Sequence, residues 1–233
     1  MEITIPEAVL LLALDDERGT ALIDDSALGA ALAGGAVAQL LLDGRVRIAG
    51  EGEEGAKPGR LVAAGGSTDE RLEPLVARIE GKKSKDALST IAGLGGDSGK
   101  LKRQLLDDLA AAGVVARDED RFLGLTWRTR WERGERRELE DALQQRARAL
   151  VTSDGEAAAE DLEVEAALAI LHGAGALPQV FPDLPKDALK RRGDALAEAS
   201  WGSREVREAI ASVQAAMTAV LIATVIVPSS TSG

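Results

Sequence analysis

The sequence REVREAIASVQAAMTAVLIATVIV occupies residues 204–227 and carries no charge after Glu208. Its uncharged part, residues 209–227, is long enough to cross a bilayer as a helix. Polar residues recur through it, however, Pro228 follows at once, and no basic residue anchors its far end. A helix that is apolar on nearly all sides must be covered by other elements. We therefore predict that residues 206–227 form the buried central helix of a soluble domain, and the alternative is a transmembrane anchor.

Amphipathic patterns upstream of this stretch predict the helices that would cover it. Residues 4–7 (TIPE) open a first helix, because Pro is favourable in a first turn and Glu is favourable beside the positive end of the helix dipole. Residues 24–26 (DDS) offer N-caps for a second helix that runs through Leu42. Inside it, Gly34 and Gly35 indicate close approach of another backbone.

Further signals complete the predicted order of elements. Residues 45–49 and 60–64 read as paired strands, and residues 67–70 (STDE) cap a helix with an apolar stripe. Short helices follow over residues 84–92, 100–112, 161–172 and 186–199, and another extends to Val151. The predicted fold class is mainly α: a single helical domain with a buried C-terminal central helix wrapped by amphipathic helices, plus one or two small β-hairpins. We place this domain at residues 1–227 and a disordered tail at residues 228–233.

Composition limits the possible functions. The chain has 233 residues, a formal net charge of −11, one histidine and no cysteine. The absence of cysteine excludes disulfides, thiol nucleophiles and thiolate metal sites. The negative charge opposes non-specific binding to nucleic acid. The excess of Ala, Gly and Arg suggests a high-GC bacterial genome, and the start of the chain shows no secretion signal, so we expect a cytoplasmic protein.

A glycine-rich segment before a helix is the sharpest functional signal. Residues 93–99 read GLGGDSG and lead into Lys100, Lys102 and Arg103. Glycine-rich turns at a helix N-terminus expose backbone N–H groups that can bind an anion, to which these cations would contribute. A Walker A motif is excluded, because Leu94 and Leu101 occupy positions that it requires as Gly and Ser or Thr. The alternative is a flexible loop followed by a solvated basic turn.

The sequence shows no signature of an enzyme. His172 stands alone at a helix end before Gly173, where a capping or core role is the simplest interpretation. The G-x-S-x-G nucleophile motif is incomplete at residues 96–99, and no metal-binding motif is present. We therefore predict no catalytic residue, no metal site and no cofactor.

A β-hairpin is predicted after the helix that begins at Lys100. Its strands are residues 114–117 and 121–127, and its turn is the acidic triplet 118–120. A winged-helix domain that binds DNA would place its wing here, but an acidic tip opposes that interpretation. The remaining options are a hairpin that packs on the domain or one that pairs with a second subunit. For self-association we select Val115, Leu123 and Trp127.

Several of these segments, taken in order, resemble the Golgi phosphoprotein 3 family. The resembling segments are LLLALDDERG (10–19), LAGGAVAQL (32–40), DGRVRI (43–48) and LAAAGVV (109–115), with His172 nine residues before Phe181. The resemblance covers about residues 6–227. It implies a single, mostly helical domain that recognises phosphatidylinositol 4-phosphate at membranes. It also implies self-association through the hairpin and contacts with the cytoplasmic tails of membrane proteins.

The resemblance also assigns positions to the head-group site. The family uses a tryptophan before the second helix, an arginine ahead of the Gly-Gly pair, and two basic residues three apart before the hairpin. These positions correspond here to Ile23, Ala33, Gly99 and Lys102. Of the basic residues only Lys102 is retained, with Lys100 and Arg103 beside it. A phosphomonoester is bound best by several convergent donors, so the head-group site of this chain is degraded and we expect weak binding of an anionic lipid.

The sequence thus leads to two function hypotheses. The first is a non-enzymatic peripheral-membrane adaptor that binds an anionic, phosphoinositide-like head group weakly through Gly99, Lys100, Lys102 and Arg103. The second is a protein-interaction or assembly module that does not bind lipid. A winged-helix-like regulator is a third and more distant alternative, since nucleic acid is an unfavourable partner for this charge.

Overall fold

The computed structural model describes residues 3–15, 18–93, 96–122, 125–153 and 161–198, with backbone only for the strand residues between 119 and 128. This part of the chain is mainly helical, which confirms the predicted fold class. Its helices are α1 (Ile5–Leu12), α2 (Asp25–Leu42), α3 (Glu73–Ile79), α4 (Ser84–Ala92), α5 (Ser98–Ala111), α6 (Arg137–Thr152), α7 (Leu162–Gly173), α8 (Leu177–Val180) and α9 (Lys186–Glu198).

The strands in the described ranges form three antiparallel pairs, each of two strands. Two of the pairs are very short, and the third is a long hairpin between α5 and α6. The pairs are β1 (Leu14–Asp15) with β2 (Thr20–Ala21), β3 (Val46–Ile48) with β4 (Leu61–Ala63), and β5 (Val115–Phe122) with β6 (Leu125–Arg133).

Helix α1 begins as its sequence predicts. Thr4 and Glu7 form a reciprocal capping box, in which the Thr4 N–H donates to Oε2 of Glu7 at 2.9 Å and the Glu7 N–H donates to Oγ1 of Thr4 at 3.4 Å. Every residue of α1 is buried. The cap therefore fixes the start of an element that lies wholly inside the domain.

Helix α2 is the central element of the described core. Its start and end agree with the prediction, since Asp24 caps it and Leu42 is its last residue. It packs against α1, α4, α5 and α7. Gly35 provides the predicted close contact with a neighbouring backbone, because a Cβ atom at this position would lie 3.2 Å from Cα of Pro6 in α1.

Within the described residues, α2 is also the one helix long and apolar enough to span a membrane. Most of it is buried inside the protein, since 78% of its 18 residues are covered by other elements. This burial is what a core helix shows. The central helix predicted at residues 206–227 and the tail at residues 228–233 lie outside the described residues, and the single-domain boundary remains a prediction.

Two helix starts differ from the prediction. Helix α3 begins at Glu73 without a side-chain cap, because Thr68 donates to Asp43 and Asp69 accepts hydrogen bonds from Arg71. Helix α5 begins at Ser98, so the glycine-rich segment is shorter than predicted and Gly99 lies inside the first turn. The residues expected to cap α3 thus bind other side chains, and the last residues expected in the glycine-rich loop are helical.

The predicted turn of the long hairpin is wrong. Residues 118–120 lie within β5, where Asp118 pairs with Arg130 and Asp120 pairs with Arg128 across the ladder. Asp118 therefore opposes a basic residue on the other strand, and opposite charges at facing positions stabilise a hairpin. The acidic triplet is thus not the tip of a wing.

Candidate functional site

The site is built on a contact between α2 and α5. A Cβ atom at Gly29 would lie 3.3 Å from Oγ of Ser98, so the two helices are in close contact here. One turn away on each helix, Nζ of Lys102 lies 2.9 Å from Oδ1 of Asp25. Residues four apart lie on one helix face. The two contacts therefore show that α2 and α5 run antiparallel here and place the start of α2 beside the first turns of α5.

The long hairpin is held against this contact by Gly19. Its carbonyl accepts a hydrogen bond from the Trp131 N–H at 2.9 Å. Gly19 has a φ of +61°, and a Cβ atom there would lie 2.8 Å from Cβ of Arg130. Only glycine fits this position. The hairpin formed by β1 and β2 thereby holds β6 beside the start of α2.

A pocket of about 370 Å³ lies between these elements. Its volume is within the usual range for small-ligand sites. The described residues of its walls combine apolar side chains, two threonines, one indole, two carboxylates and one ammonium group. The lining residues are Leu14, Gly19, Thr20, Ala21, Ile23, Asp24, Asp25, Lys102, Thr129 and Trp131.

The charged groups of the pocket differ in how strongly other groups of the protein bind them. Oδ1 of Asp24 accepts hydrogen bonds from the N–H groups of Ser26 at 3.0 Å and Ala27 at 2.9 Å, so this oxygen caps α2. The Asp25 side chain is 89% exposed and the Lys102 side chain 30% exposed. An exposed ion pair is held only weakly. The Asp25–Lys102 pair can therefore open for a ligand at small energetic cost.

Two of the four positions assigned by the resemblance, Ile23 and Lys102, line this pocket. Gly99 is exposed, and a Cβ atom there would have open space around it. Ala33 is fully buried in the core, where a small side chain lets α2 pack closely.

The comparison with known families decides the assignment. A family profile described as Golgi phosphoprotein 3 (GPP34) matches residues 5–213, which is most of the chain. The chain belongs to the Golgi phosphoprotein 3 family. This family is known in general for binding phosphatidylinositol 4-phosphate, and it is not a family of enzymes. None of the curated proteins compared with the chain matches it.

The other predicted site residues of this Golgi phosphoprotein 3 domain lie outside the pocket wall. Lys100 and Arg103 are exposed on α5, on either side of Lys102. The Gly96 N–H donates to the carbonyl of Gly93 at 2.7 Å and is already engaged. Asp97, just before α5, forms an ion pair with Arg78 of α3. Lys102 alone among the predicted cations therefore contributes to the pocket.

The residues selected for self-association have different surroundings. Val115 is 3% exposed and belongs to the core, so it presents no surface to a partner. Leu123 lies outside the described residues. Trp127 lies in β6 at an irregular register, because Arg121 pairs with Thr126 while Asp120 pairs with Arg128. Self-association itself remains a prediction.

His172 joins α7 to α9. Its Nε2 lies 2.9 Å from Oδ1 of Asp194, whose other oxygen accepts a hydrogen bond from Lys190 at 2.8 Å. The Lys190 ammonium, and to a smaller extent His172, hold the pKa of Asp194 below its usual value. The ring also fills the space beside Gly193, where a Cβ atom would lie 2.2 Å from Nδ1. The ring is thus partly buried between α7 and α9, at the edge of the core and not inside it.

Sequence reasoning missed most of the pocket wall. Thr20 belongs to the first hairpin, whereas Thr129 and Trp131 belong to the long one, and no local pattern indicates that they meet. Asp25 was recognised only as a possible helix cap. The sequence does contain one relevant signal, the matched four-residue spacings of Asp25 to Gly29 and of Ser98 to Lys102, but only the fold shows that these two faces are in contact.

Proposed function

We propose that this domain is a non-enzymatic peripheral-membrane protein whose pocket between α2, α5 and β6 holds the head group of an anionic phospholipid. The observation that carries the proposal is the position of Lys102: its ammonium group lines a pocket of head-group size in a member of a lipid-binding family. Trp131 and Ile23 add apolar surface beside the cation. The proposal places the protein at the cytoplasmic face of a membrane, with an adaptor role toward the cytoplasmic tails of membrane proteins.

Binding through this site should be weak. One cation near an anionic surface contributes about 1 kcal/mol, and here Asp25 already compensates part of its charge. Lys100 and Arg103 are exposed close by on the same helix and add long-range attraction. Because exposed charges are screened over a Debye length, affinity should fall steeply as salt is added.

Co-sedimentation with vesicles tests the proposal. The vesicles contain phosphatidylcholine with or without phosphatidylinositol, at low ionic strength. The triple variant Lys100→Ala, Lys102→Ala, Arg103→Ala should lose binding to the anionic vesicles. The control triple variant Lys57→Ala, Lys83→Ala, Lys85→Ala removes the same charge from other exposed positions and should retain most of it. Equal sedimentation of all three proteins would contradict a role for the first turns of α5.

A second candidate function is assembly through the long hairpin. Among the described strands, β5 and β6 pair only with each other; the other edge of β6 is engaged at Trp131 by Gly19, so β5 offers the edge that meets no further described strand. A free edge can add a strand from a second copy. Sedimentation equilibrium should then show dimers or larger species at high protein concentration. If the protein stays monomeric at concentrations up to hundreds of micromolar, assembly through the hairpin is excluded as a function.

A further inference from the structure

The charge of the pocket points to a particular kind of head group. The described residues of its wall carry two carboxylates, Asp24 and Asp25, and one ammonium group, that of Lys102. The Lys102 ammonium contacts Asp25 directly at 2.9 Å. A ligand that binds Lys102 therefore lies beside a carboxylate that can accept hydrogen bonds from it.

A phosphomonoester suits this wall poorly. It carries about −1.5 to −2 charges at neutral pH and is bound best by several convergent cationic donors. Here its oxygens would face Lys102, the one cation among the described residues of the wall, with the Asp25 carboxylate beside it. Like charges in contact repel, so each added phosphate charge makes entry less favourable.

A polyol joined to lipid through a phosphodiester suits the same wall well. The phosphodiester carries a single negative charge, which Lys102 can balance. The polyol hydroxyls can donate to the Asp25 carboxylate, and such charge-assisted hydrogen bonds are strong. Thr20 and Thr129 supply further hydroxyl partners, and the Trp131 indole supplies an apolar wall for ring C–H groups.

We propose that the pocket selects a polyol phosphodiester head group, such as that of phosphatidylinositol, over a phosphomonoester and over an amino-acid head group of equal charge. This inference rests on the proposed lipid-binding function and names the ligand of the same site. In this proposal Lys102 binds the phosphate, and the Asp25 carboxylate accepts hydrogen bonds from the hydroxyl groups.

Vesicles of matched charge test this selectivity. Phosphatidylcholine vesicles carry phosphatidylinositol or phosphatidylserine at equal mole fraction, or phosphatidylinositol 4-phosphate at the fraction that gives equal charge. Wild type should prefer phosphatidylinositol over phosphatidylserine by roughly tenfold, the effect of one hydrogen bond to a charged group. Asp25→Ala should abolish that preference while leaving binding to phosphatidylserine at least as strong, because a repulsive charge is removed.

A second variant tests whether an added cation shifts the preference toward a phosphomonoester. The space around Gly99 is open, and this residue lies one helical turn before Lys102. Gly99→Arg should therefore add a cation beside the pocket and shift the preference toward phosphatidylinositol 4-phosphate. Soluble glycerophosphoinositol should release wild type from phosphatidylinositol vesicles, which separates recognition of the head group from attraction to a charged surface.

Each outcome has a defined meaning. Preference for phosphatidylinositol that is lost in Asp25→Ala supports the inference. Equal binding to phosphatidylinositol and phosphatidylserine, or preference of wild type for phosphatidylinositol 4-phosphate at matched charge, overturns it and leaves the lipid-binding function in place. Absence of binding to every anionic vesicle at low salt overturns the lipid-binding function and this inference with it.

Discussion

Nζ of Lys102 lies 2.9 Å from Oδ1 of Asp25, although the two residues are 77 positions apart in the chain. The pair lies at the surface, and exposed ion pairs contribute less than about 1 kcal/mol to stability. We therefore expect Lys102→Ala and Asp25→Ala to change the free energy of unfolding in urea by no more than that. A larger loss would show that the pair is part of the folded core, and lipid-binding data on these variants would then report misfolding.

The contact of Gly35 with Pro6 provides a test of core packing. A Cβ atom at Gly35 would lie 3.2 Å from Cα and 3.3 Å from N of Pro6. Gly35→Leu should force α1 away from α2 and lower the free energy of unfolding by roughly 1–3 kcal/mol or more.

Gly99→Ala is the matched control for that substitution. Gly99 also lies in a helix, but its Cβ position has open space. Alanine there should raise stability by up to about 1 kcal/mol through helix propensity alone. Equal effects of the two substitutions would contradict the packing of α1 against α2.

The bounds of α2 and α4 show how much of the fold local sequence predicts. Both helices begin and end close to their predicted limits. For α2 the Asp24 cap and the Asp43–Gly44 pair are the local signals. The start of α3 was missed, since Asp69 binds Arg71, which also reaches Glu7 of α1 at 2.9 Å. These hydrogen bonds depend on the tertiary contact with α1, and the local sequence of a helix cap does not show such a contact.

The site was predicted in part for the same reason. Lys102 was identified from the basic first turn, which is a local feature. Asp25, Thr20 and Trp131 join it only through the antiparallel contact of α2 with α5 and the hydrogen bond between Trp131 and Gly19. The misplaced hairpin turn has a similar origin, because the pairing of Asp118 with Arg130 is a relation between strands.

The ion pair of Asp69 with Arg71 predicts a pH dependence of stability. Hydrogen bonds from the Arg71 guanidinium hold the pKa of the Asp69 carboxyl below its usual value. A carboxyl whose pKa is lower in the folded state stabilises the protein above its unfolded pKa of about 4, and this contribution is lost as the pH falls through the folded pKa.

The difference in melting temperature between wild type and Asp69→Asn measures this contribution. Wild type should melt higher at about pH 7, and the difference should shrink as the pH is lowered toward about 3. Asp107→Asn, at an exposed position of α5, serves as the control and should show little difference across the range. A difference in melting temperature between wild type and Asp69→Asn that stays constant with pH would contradict the lowered pKa of Asp69.

His172 and Gly193 should be coupled in a double-mutant cycle. Gly193→Ala would place Cβ 2.2 Å from Nδ1 of His172 and should destabilise the protein by about 1 kcal/mol or more. In a His172→Ala background the ring is absent, and the same substitution should become neutral or stabilising, because alanine favours the helix. Additive effects in thermal unfolding would show that the ring moves aside and does not hold α7 against α9.

The most direct test of the central claim is to locate the bound head group by nuclear magnetic resonance. Glycerophosphoinositol is titrated into the ¹⁵N-labelled protein, and amide and indole N–H shifts are followed. We predict saturable shifts confined to Thr20, Asp25 and Lys102, their neighbours in sequence, and the indole of Trp131, and we predict that Lys102→Ala abolishes them. Shifts that cluster on α9, or no shifts with a protein that sediments with phosphatidylinositol vesicles, would contradict binding at this pocket.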